Sequence, residues 1–419
     1  MNVRRSAAVL AATAVIGTAT PAVAADPSTS PSPSPSVVIP DGLYGTGDPT
    51  YDGVWRQSLA LMAQNEVSVD PADTAVAWLA GQQCASGAFP AFRADTNKPC
   101  DAKVMVDTNM TAVAVQALTT LTESYDTQVK KAVTWLKSVQ NKDGGWGYSA
   151  GSATDANSTS LVVGALAQAG VTVPNLRKEG KSPLDALWQL SLPCDSKDAG
   201  AFAYQPDKKG KLTANADATV AAVLGGYGEV LAAGPQEDAD TSVGCRGKQD
   251  DGLADVAADN GAAWLAKTLK KDGYLKSALP GSEDQPDYGN TADAVVALAS
   301  AGYNDQAAAS LRWLEANAVK WAEQSGPAAY AQLIFATKAG RGDVHSFGGK
   351  DLVTLLNATG PTPRAINAEP PTASAEDVKA SDQNDDDGAL TVAWTVGGGL
   401  LLGSLIGFGL MLRGRKRQQ

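Results

Sequence analysis

The amino-acid sequence predicts an all-α fold built from repeated αα-hairpins. The first observation is the pattern of residues 135–170, which begins with apolar residues at the spacing of one helix face. Gly144-Gly145 then ends this helix, because glycine adopts the backbone angles of a helix terminus. A polar loop with helix-capping residue types leads to a second helix over the apolar residues 161–166. The second observation is that this unit, about fifty residues long, recurs along the chain.

Two types of helix alternate through the repeats. Helices of the first type carry a tryptophan: Trp78, Trp135, Trp188, Trp264 and Trp313. Helices of the second type begin near Asp52, Asn109, Asn157, Asn215, Gly289 and Gly326. A last helix of the first type, over residues 350–356, lacks the tryptophan, so the sequence predicts six helices of each type. Apolar and polar residues do not alternate with a period of two, so the sequence predicts no β-sheet.

Composition divides the chain into a central helical domain and terminal segments. The predicted segments are a secretory signal (1–25), a Pro/Ser-rich linker (26–47), the helical domain (48–360), an acidic stalk (361–388), a transmembrane helix (389–412) and a basic tail (413–419). None of the 24 residues of segment 389–412 is charged. A helix of this length can span a bilayer. Basic residues stay on the cytoplasmic side, so we expect a single-pass membrane protein with its helical domain outside the cell.

The charge balance excludes some partners. The chain has 34 Lys and Arg residues against 45 Asp and Glu residues, with a formal net charge of −11. Because both termini are basic, the part between them is more acidic than the whole. Such a surface repels nucleic acid and anionic lipid headgroups.

The four cysteines fit an exported protein. An even number of cysteines outside the cell favours disulfides, and four allow three pairings. The pairing between sequence neighbours is Cys84–Cys100 and Cys194–Cys245. Four buried thiols are the alternative.

One turn resembles a known repeat. The stretch QNKDGGW, from Gln140 to Trp146, resembles the Gln-x-x-x-Gly-x-Trp repeat of the terpenoid cyclase and protein prenyltransferase superfamily. The resemblance covers roughly residues 48–359. It implies an α/α toroid, in which six inner and six outer helices alternate around a barrel, and it implies less about function because one fold serves many activities.

The catalytic motifs of this superfamily are missing from the sequence. Proton-donating cyclases need Asp-x-Asp-Asp, and the nearest stretch, residues 237–241, has Thr241 in place of the last acid. The sole histidine, His345, has no partner motif for the zinc of prenyltransferases. Gly244-Cys245-Arg246 does not match a thioester motif. The sequence therefore favours a non-catalytic protein, and we expect no cofactor and no metal.

The toroid also resembles the helical domain of the transcobalamin and intrinsic factor family. In that family polar residues at the starts of inner helices receive the ligand, which suggests a small molecule, such as cobalamin or another corrinoid, at the toroid mouth. The residues at the equivalent places and in the adjacent turns are Asp52, Asn109, Asn157, Asn215, Asp155, Trp146, Tyr148, Tyr204 and Tyr288. Helix capping by the Asn and Asp residues, and packing of the aromatic ones, are the alternatives.

Three functions follow as hypotheses. The first is a membrane-anchored binding protein for uptake, with a transporter or a separate lid protein as partner. The second is an extracytoplasmic enzyme that acts on an isoprenoid, lipid or glycan, with Asp155 and Asp287 as the first acids to examine. An enzyme should show carboxyl groups that converge inside the barrel with a raised pKa, whereas a binding protein should show a mouth lined by amides. A structural or protein-interaction module is a third, weaker hypothesis.

Overall fold

The computed structural model describes residues 38–121, 125–240, 245–247, 253–278 and 282–364. Thirteen α-helices lie in these described ranges. They are α1 (Gly53–Glu66), α2 (Asp73–Gly81), α3 (Thr108–Leu121), α4 (Asp126–Ser138), α5 (Ala156–Gln168), α6 (Pro183–Trp188), α7 (Ala216–Tyr227), α8 (Leu253–Asp272), α9 (Tyr288–Ser300), α10 (Asn304–Asn317), α11 (Val319–Ser325), α12 (Pro327–Ala339) and α13 (Leu352–Asn357). A 3₁₀ turn follows α5 at Val173–Asn175.

Six helices form a closed inner ring. Helices α1, α3, α5, α7, α9 and α12 contact one another in that order, and α12 returns to α1. Each inner helix also packs against the helix that follows it in its own unit: α2, α4, α6, α8, α10 or α13. The inner helices are those predicted to begin with a polar residue or a glycine, and the outer helices are the tryptophan type. This helix-rich arrangement is the one expected of an α/α toroid, with the short α11 as an addition that the sequence did not predict.

Two short β-ribbons were also not predicted. Strand β1 (Phe89–Pro90) pairs antiparallel with β2 (Val106–Asp107), and β3 (Leu275–Lys276) pairs with β4 (Pro286–Asp287). Each ribbon ties the turn after an outer helix to the start of the next inner helix. Strands of two residues are too short to show an alternating pattern, which is why the sequence did not reveal them.

A buried threonine fixes the same turn in four units. The Oγ1 atom of Thr159 accepts a hydrogen bond from the Trp146 N–H at 3.0 Å. The equivalent threonines in the other units accept from Phe89, Phe202 and Leu275: these are Thr111, Thr219 and Thr291. Each threonine lies four residues after the residue that caps its inner helix. The four threonines therefore mark equivalent positions in their units, and this alignment of the repeats is called the threonine register below.

The turn around Trp146 packs closely against the next unit. Trp146 is fully buried, and its Nε1 atom donates to the Leu136 carbonyl at 2.8 Å. Gly144 has φ +92°, and a Cβ atom there would lie 2.3 Å from the Ser182 carbonyl oxygen. The Gly-x-Trp element therefore holds adjacent units together, which is a structural role.

The segment before α1 belongs to the helical domain. Residues 39–47 were predicted as linker, but Tyr44 is fully buried and its hydroxyl donates to Gln64 Oε1 at 3.0 Å. Gln64 Nε2 donates in turn to Asn357 Oδ1 at 2.7 Å, and the Gly45 N–H donates to the Thr359 carbonyl at 2.8 Å. These bonds join the two ends of the ring, so the linker prediction was wrong for this stretch.

Both disulfides have the neighbour pairing. The bridges Cys84–Cys100 and Cys194–Cys245 each have a Cα–Cα distance of 5.6 Å. The first closes the loop between α2 and α3, and the second connects the loops on either side of α7. The alternative of four buried thiols was wrong.

Several predicted segments lie outside the described residues. These are the signal (1–25), the transmembrane helix (389–412), the basic tail (413–419) and most of the linker and the stalk. None of the helices in the part of the chain that the structure describes has an apolar stretch of the length that a membrane span requires.

Candidate functional site

A cavity of about 150 Å³ lies inside the ring of inner helices. All six inner helices contribute to its wall. The predicted residues that line it are Asn109, Tyr148, Asp155, Asn157, Tyr204 and Gly289. Residues that the sequence analysis did not single out also line it, among them Trp55, Gln116, Asp217, Asp293 and Gln332. Apolar side chains, including Leu161, Val220 and Leu224, complete the wall.

Asp217 points a carboxyl group at this cavity from the first turn of α7. Asn157 Nδ2 donates to its Oδ2 atom at 2.5 Å. Burial raises the pKa of Asp217 to about 6, while the hydrogen bond from Asn157 opposes the shift. The charge of Asp287 raises this pKa further. Asp217 is therefore an acid that keeps part of its proton near neutral pH.

Asp293 is the second acid, on the second turn of α9. Gln332 Nε2 from α12 donates to both of its carboxylate oxygens, at 3.0 and 2.9 Å. Burial raises the pKa of Asp293 to about 7, and the charges of Asp217 and Asp287 add to the rise. Asp217 and Asp293 therefore interact electrostatically across the cavity, and each is held by an amide from a neighbouring inner helix.

Asp155 is the third acid, and it also caps α5. Its Oδ1 atom accepts from the Ser158 N–H at 2.7 Å, and its Oδ2 atom accepts from the Ser158 hydroxyl at 3.0 Å. Burial raises the pKa of Asp155 to about 6, although hydrogen bonds from Ser158 and Tyr204 oppose this. Asp107 has the same place on α3, where burial raises its pKa to about 7 against hydrogen bonds from Met110 and Tyr148. Thus Asp155 is both a cap and a wall residue of the cavity.

Several buried polar atoms in the cavity wall have no hydrogen-bond partner within the protein. They are Trp55 Nε1, Asn109 Oδ1, Asn157 Oδ1, Ser160 Oγ and Gln332 Oε1. Buried polar atoms are normally paired, so a group of them around one cavity marks a place that water or a ligand fills. Three of the five are amide oxygens, which accept hydrogen bonds and cannot donate.

The predicted residue Asn215 does not line the cavity. Its side chain accepts from the Ala218 N–H at 2.8 Å and caps α7, as Asp155 caps α5. The threonine spacing places Asp217, and not Asn215, at the position of Asn109 and Asn157, because each of these three lies two residues before the buried threonine of its unit. The cavity residue of α7 is therefore Asp217, two residues later. The spacing from cap to threonine was the signal that could have found it.

Three other predicted residues have structural contacts instead. Trp146 lies in the core, as described above. The ring of Tyr288 stacks between Trp313 and Trp321, at centroid distances of 5.4 and 5.7 Å. Asp52 accepts an ion-pair hydrogen bond from Arg56 at 3.2 Å. None of these side chains is part of the cavity wall.

Two other residues named from the sequence do not line the cavity either. Asp287, a candidate acid, caps α9 through the Asn290 N–H at 3.0 Å and is not part of the wall. Gly326 precedes α12 with φ +81°.

The described residues do not suggest a metal centre. No group of three or more His, Cys, Asp and Glu residues that could hold a metal ion occurs among them. His345 is exposed and its Nδ1 atom lies 3.1 Å from Asp351 Oδ2. Asp238, in the stretch nearest to Asp-x-Asp-Asp, lies in an exposed loop and accepts from Asn304 Nδ2 at 2.7 Å.

Residues 105–189 match the family described as the squalene-hopene cyclase C-terminal domain. The predicted resemblance to the terpenoid cyclase and protein prenyltransferase superfamily is confirmed. The matched segment runs from just before β2 through α6, and it includes the QNKDGGW turn and the cavity residues Asn109, Asp155 and Asn157. The resemblance to the transcobalamin family stays a prediction.

One solved structure, described as the crystal structure of a protein from Actinoplanes, is 16% identical and covers 68% of this chain and 99% of its own, with a TM-score of 0.32. No curated protein matches the sequence.

Proposed function

We propose that this protein is an enzyme that transfers a proton from a buried aspartic acid to a substrate inside the toroid. The observation that supports this best is the convergence of Asp155, Asp217 and Asp293 on one cavity, each with a raised pKa. A general acid works best when its pKa lies near the working pH. Carboxyl groups that converge inside the barrel with raised pKa values are expected of an enzyme rather than of a binding protein.

Asp217 and Asp293 act as a pair. Burial raises the pKa of each carboxyl group, and the charge of Asp217 raises that of Asp293 further, so the pair retains a proton near neutral pH. The member that keeps the proton is the donor, and the ionised member stabilises positive charge that develops on the substrate. The rings of Trp55 and Tyr204 line the same space and favour a cation over their faces.

The wall favours a substrate with an apolar body. Leu161, Val220 and Leu224 contribute apolar surface beside the acids. Protonation of a carbon–carbon double bond in a short isoprenoid or another small unsaturated lipid fits such a wall better than hydrolysis of a glycan, since a glycan needs polar contacts along its length. The proton forms a new C–H bond and leaves a carbocation on the neighbouring carbon. This cation is discharged by loss of another proton to an ionised acid of the wall, or by attack of a second double bond of the substrate.

The test follows a solvent proton into the product. Full-length protein in a mild non-ionic detergent is incubated in D₂O with linear isoprenoid alkenes and alcohols, and the products are analysed by mass spectrometry. We expect a product that carries carbon-bound deuterium, and we expect Asp293→Asn to lower the rate by about 10²–10⁴-fold. The matched control is Asp305→Asn, which removes an exposed charge on α10. A rate that Asp293→Asn and Asp217→Asn both leave unchanged contradicts the proposal.

A binding protein is the second candidate, and the unpartnered amide oxygens favour it. Asn109, Asn157 and Gln332 each present an oxygen that could accept a hydrogen bond from an amide-bearing ligand. The cavity is smaller than the ~300–1,000 Å³ of usual ligand pockets, so cobalamin would contact the mouth rather than enter it. Calorimetry with cobalamin tests this candidate. Binding lost in Asn109→Ala/Asn157→Ala and kept in the cap variant Asn215→Ala would support it, whereas absence of heat from folded protein would contradict it.

We further propose that the protein is exported and anchored by residues 389–412, as their sequence predicts. A partner that closes the mouth, or a transporter, belongs to the binding-protein candidate. Resistance of the protein to extraction from membranes by alkaline carbonate, lost when residues 389–419 are deleted, is the expected result. Extraction of the intact chain by carbonate would contradict the anchor.

A further inference from the structure

The charge of the cavity wall has a single sign. Among the described residues that line the cavity, the charged ones are all acids: Asp155, Asp217, Glu229 and Asp293. The nearest basic neighbour in sequence, Arg56, is engaged elsewhere, with Asp52 and with the Gly47 carbonyl at 2.8 Å. Acids with no opposite charge among them repel one another, so a positively charged ligand stabilises this wall.

The unpartnered atoms show what kind of cation the wall can hold. Gln332 and Ser160 are each 3% exposed, and Gln332 Oε1 and Ser160 Oγ have no partner in the protein. Asn109 Oδ1 and Asn157 Oδ1 are also unpartnered. These oxygens accept hydrogen bonds, whereas the wall has one unpartnered side-chain donor with no acceptor role, Trp55 Nε1. The wall therefore suits a ligand with several N–H groups better than a quaternary cation, which has none.

Aromatic and aliphatic side chains complete this set. Trp55, Tyr148 and Tyr204 offer ring faces, which attract an ammonium group. Leu161 and Leu224 contribute surface for an apolar tail.

We propose that the cavity binds a small organic amine in its ammonium form, with Asp217 and Asp293 as counter-charges and the unpartnered side-chain oxygens as acceptors of its N–H groups. This proposal goes beyond the proposed enzyme activity and does not depend on it, because a bound amine needs ionised acids whereas the catalytic step needs a protonated one.

The pH dependence of binding follows from the groups that face the cavity. These are Asp155 of α5, Asp217 of α7, Asp293 of α9 and Glu229 after α7, with Asp287 acting through its charge. The pKa values of Asp217 and Asp293, about 6 and about 7, mean that both acids are largely protonated at pH 5 and ionised at pH 8. An ammonium group binds the ionised form, so affinity should rise with pH over this range and binding near pH 6.5 should release protons.

Three probes with one carbon skeleton test the proposal. They are 3-methylbutylammonium, 3-methylbutan-1-ol and 3-methylbutanoate, which are positive, neutral and negative. Calorimetry on the full-length protein at pH 8 should give one ammonium ion per chain, bound at least about tenfold more tightly than the alcohol, and no binding of the carboxylate. At pH 5 the ammonium affinity should fall by about tenfold or more.

Variants and proton counting separate the site from a general charge effect. Asp217→Asn/Asp293→Asn should weaken ammonium binding by at least about tenfold, whereas Asp305→Asn should leave it unchanged. Should the double variant fail to fold, repeating the titration of the wild-type protein in buffers of different ionisation enthalpy still measures the released protons. Equal affinity for the ammonium and the alcohol, no ammonium binding at millimolar concentration, or binding without proton release near pH 6.5 would each overturn the proposal. None of these results would affect the deuterium test of the enzyme.

Discussion

The turn before an inner helix and the cavity face of the same helix lie within a few residues of each other, yet they differ in hydrogen bonding. The buried polar groups of the turn have partners in the protein, whereas several on the cavity face have none. In the turn, Thr159 is fully buried and both accepts from the Trp146 N–H and donates to the Trp146 carbonyl, each at 3.0 Å. On the cavity face, Asn157 uses its amide nitrogen on Asp217 and leaves Oδ1 unpartnered. A satisfied group stabilises the fold, whereas an unsatisfied one costs stability and persists where a ligand can pair with it.

The turn region should show the largest stability effect. Trp146→Ala removes a fully buried indole and its bond to the Leu136 carbonyl, so the free energy of unfolding should fall by about 3–5 kcal/mol. Denaturant unfolding followed by circular dichroism measures the loss. The control is Tyr51→Ala, since Tyr51 is 66% exposed and its loss should change stability little. A loss below about 1 kcal/mol for Trp146→Ala would show that this turn does not hold adjacent units together.

The cavity acids should give the fold an unusual pH dependence. The pKa of Asp217 is raised from 3.8 to about 6, so between these values the folded chain keeps a proton that the unfolded chain has lost. Its stabilising contribution is complete below pH 4 and decreases as the pH rises through 6. Asp217→Asn should therefore match the wild type at pH 4 and be more stable by roughly 2 kcal/mol at pH 7.

The pH measurement needs a charge control. Thermal unfolding of the wild type, Asp217→Asn and Asp305→Asn at pH 4 and pH 7 separates the buried acid from the general effect of net charge. Asp305 is exposed on α10, so its variant should follow the wild type at both pH values. A wild type that gains stability over Asp217→Asn between pH 4 and 7 would mean that the pKa of Asp217 is not raised.

The threonine of the turn should matter less than the tryptophan but more than an exposed threonine. Thr159→Val keeps the shape of the side chain and leaves the Trp146 N–H without its partner, so we expect a loss of about 1–3 kcal/mol. Thr134→Val is the matched control, because Thr134 is exposed on α4 and bonds only to the carbonyl of Lys130, at 2.8 Å. If the two variants lost the same free energy of unfolding, the hydrogen bond of Thr159 would not be what fixes the turn.

The same contrast explains how much could be predicted from the sequence. The repeated features, such as the tryptophans of the outer helices and the Gly-x-Trp turn, set the helix order and the ring, because each unit buries the same face against its neighbours. The cavity acids are departures from the repeat. Asp217 replaces an asparagine, and Asp293 stands where the equivalent positions of α3 and α5 have Val113 and Leu161. No local pattern shows that such residues meet across the ring, so their convergence needed the structure.

The smallest effects are expected at Asn215 and Asn157, two asparagines that the sequence places at equivalent helix starts but that differ in the structure. Asn215→Ala removes the cap of α7 and should cost about 1 kcal/mol of stability, while ligand binding stays unchanged. Asn157→Ala removes no cap. It removes the hydrogen bond that lowers the pKa of Asp217, so this pKa should rise further and ammonium binding near pH 7 should weaken. Unfolding and calorimetry on both variants measure the two effects. If Asn215→Ala weakened binding as much as Asn157→Ala does, both residues would belong to the site and the threonine register would be wrong.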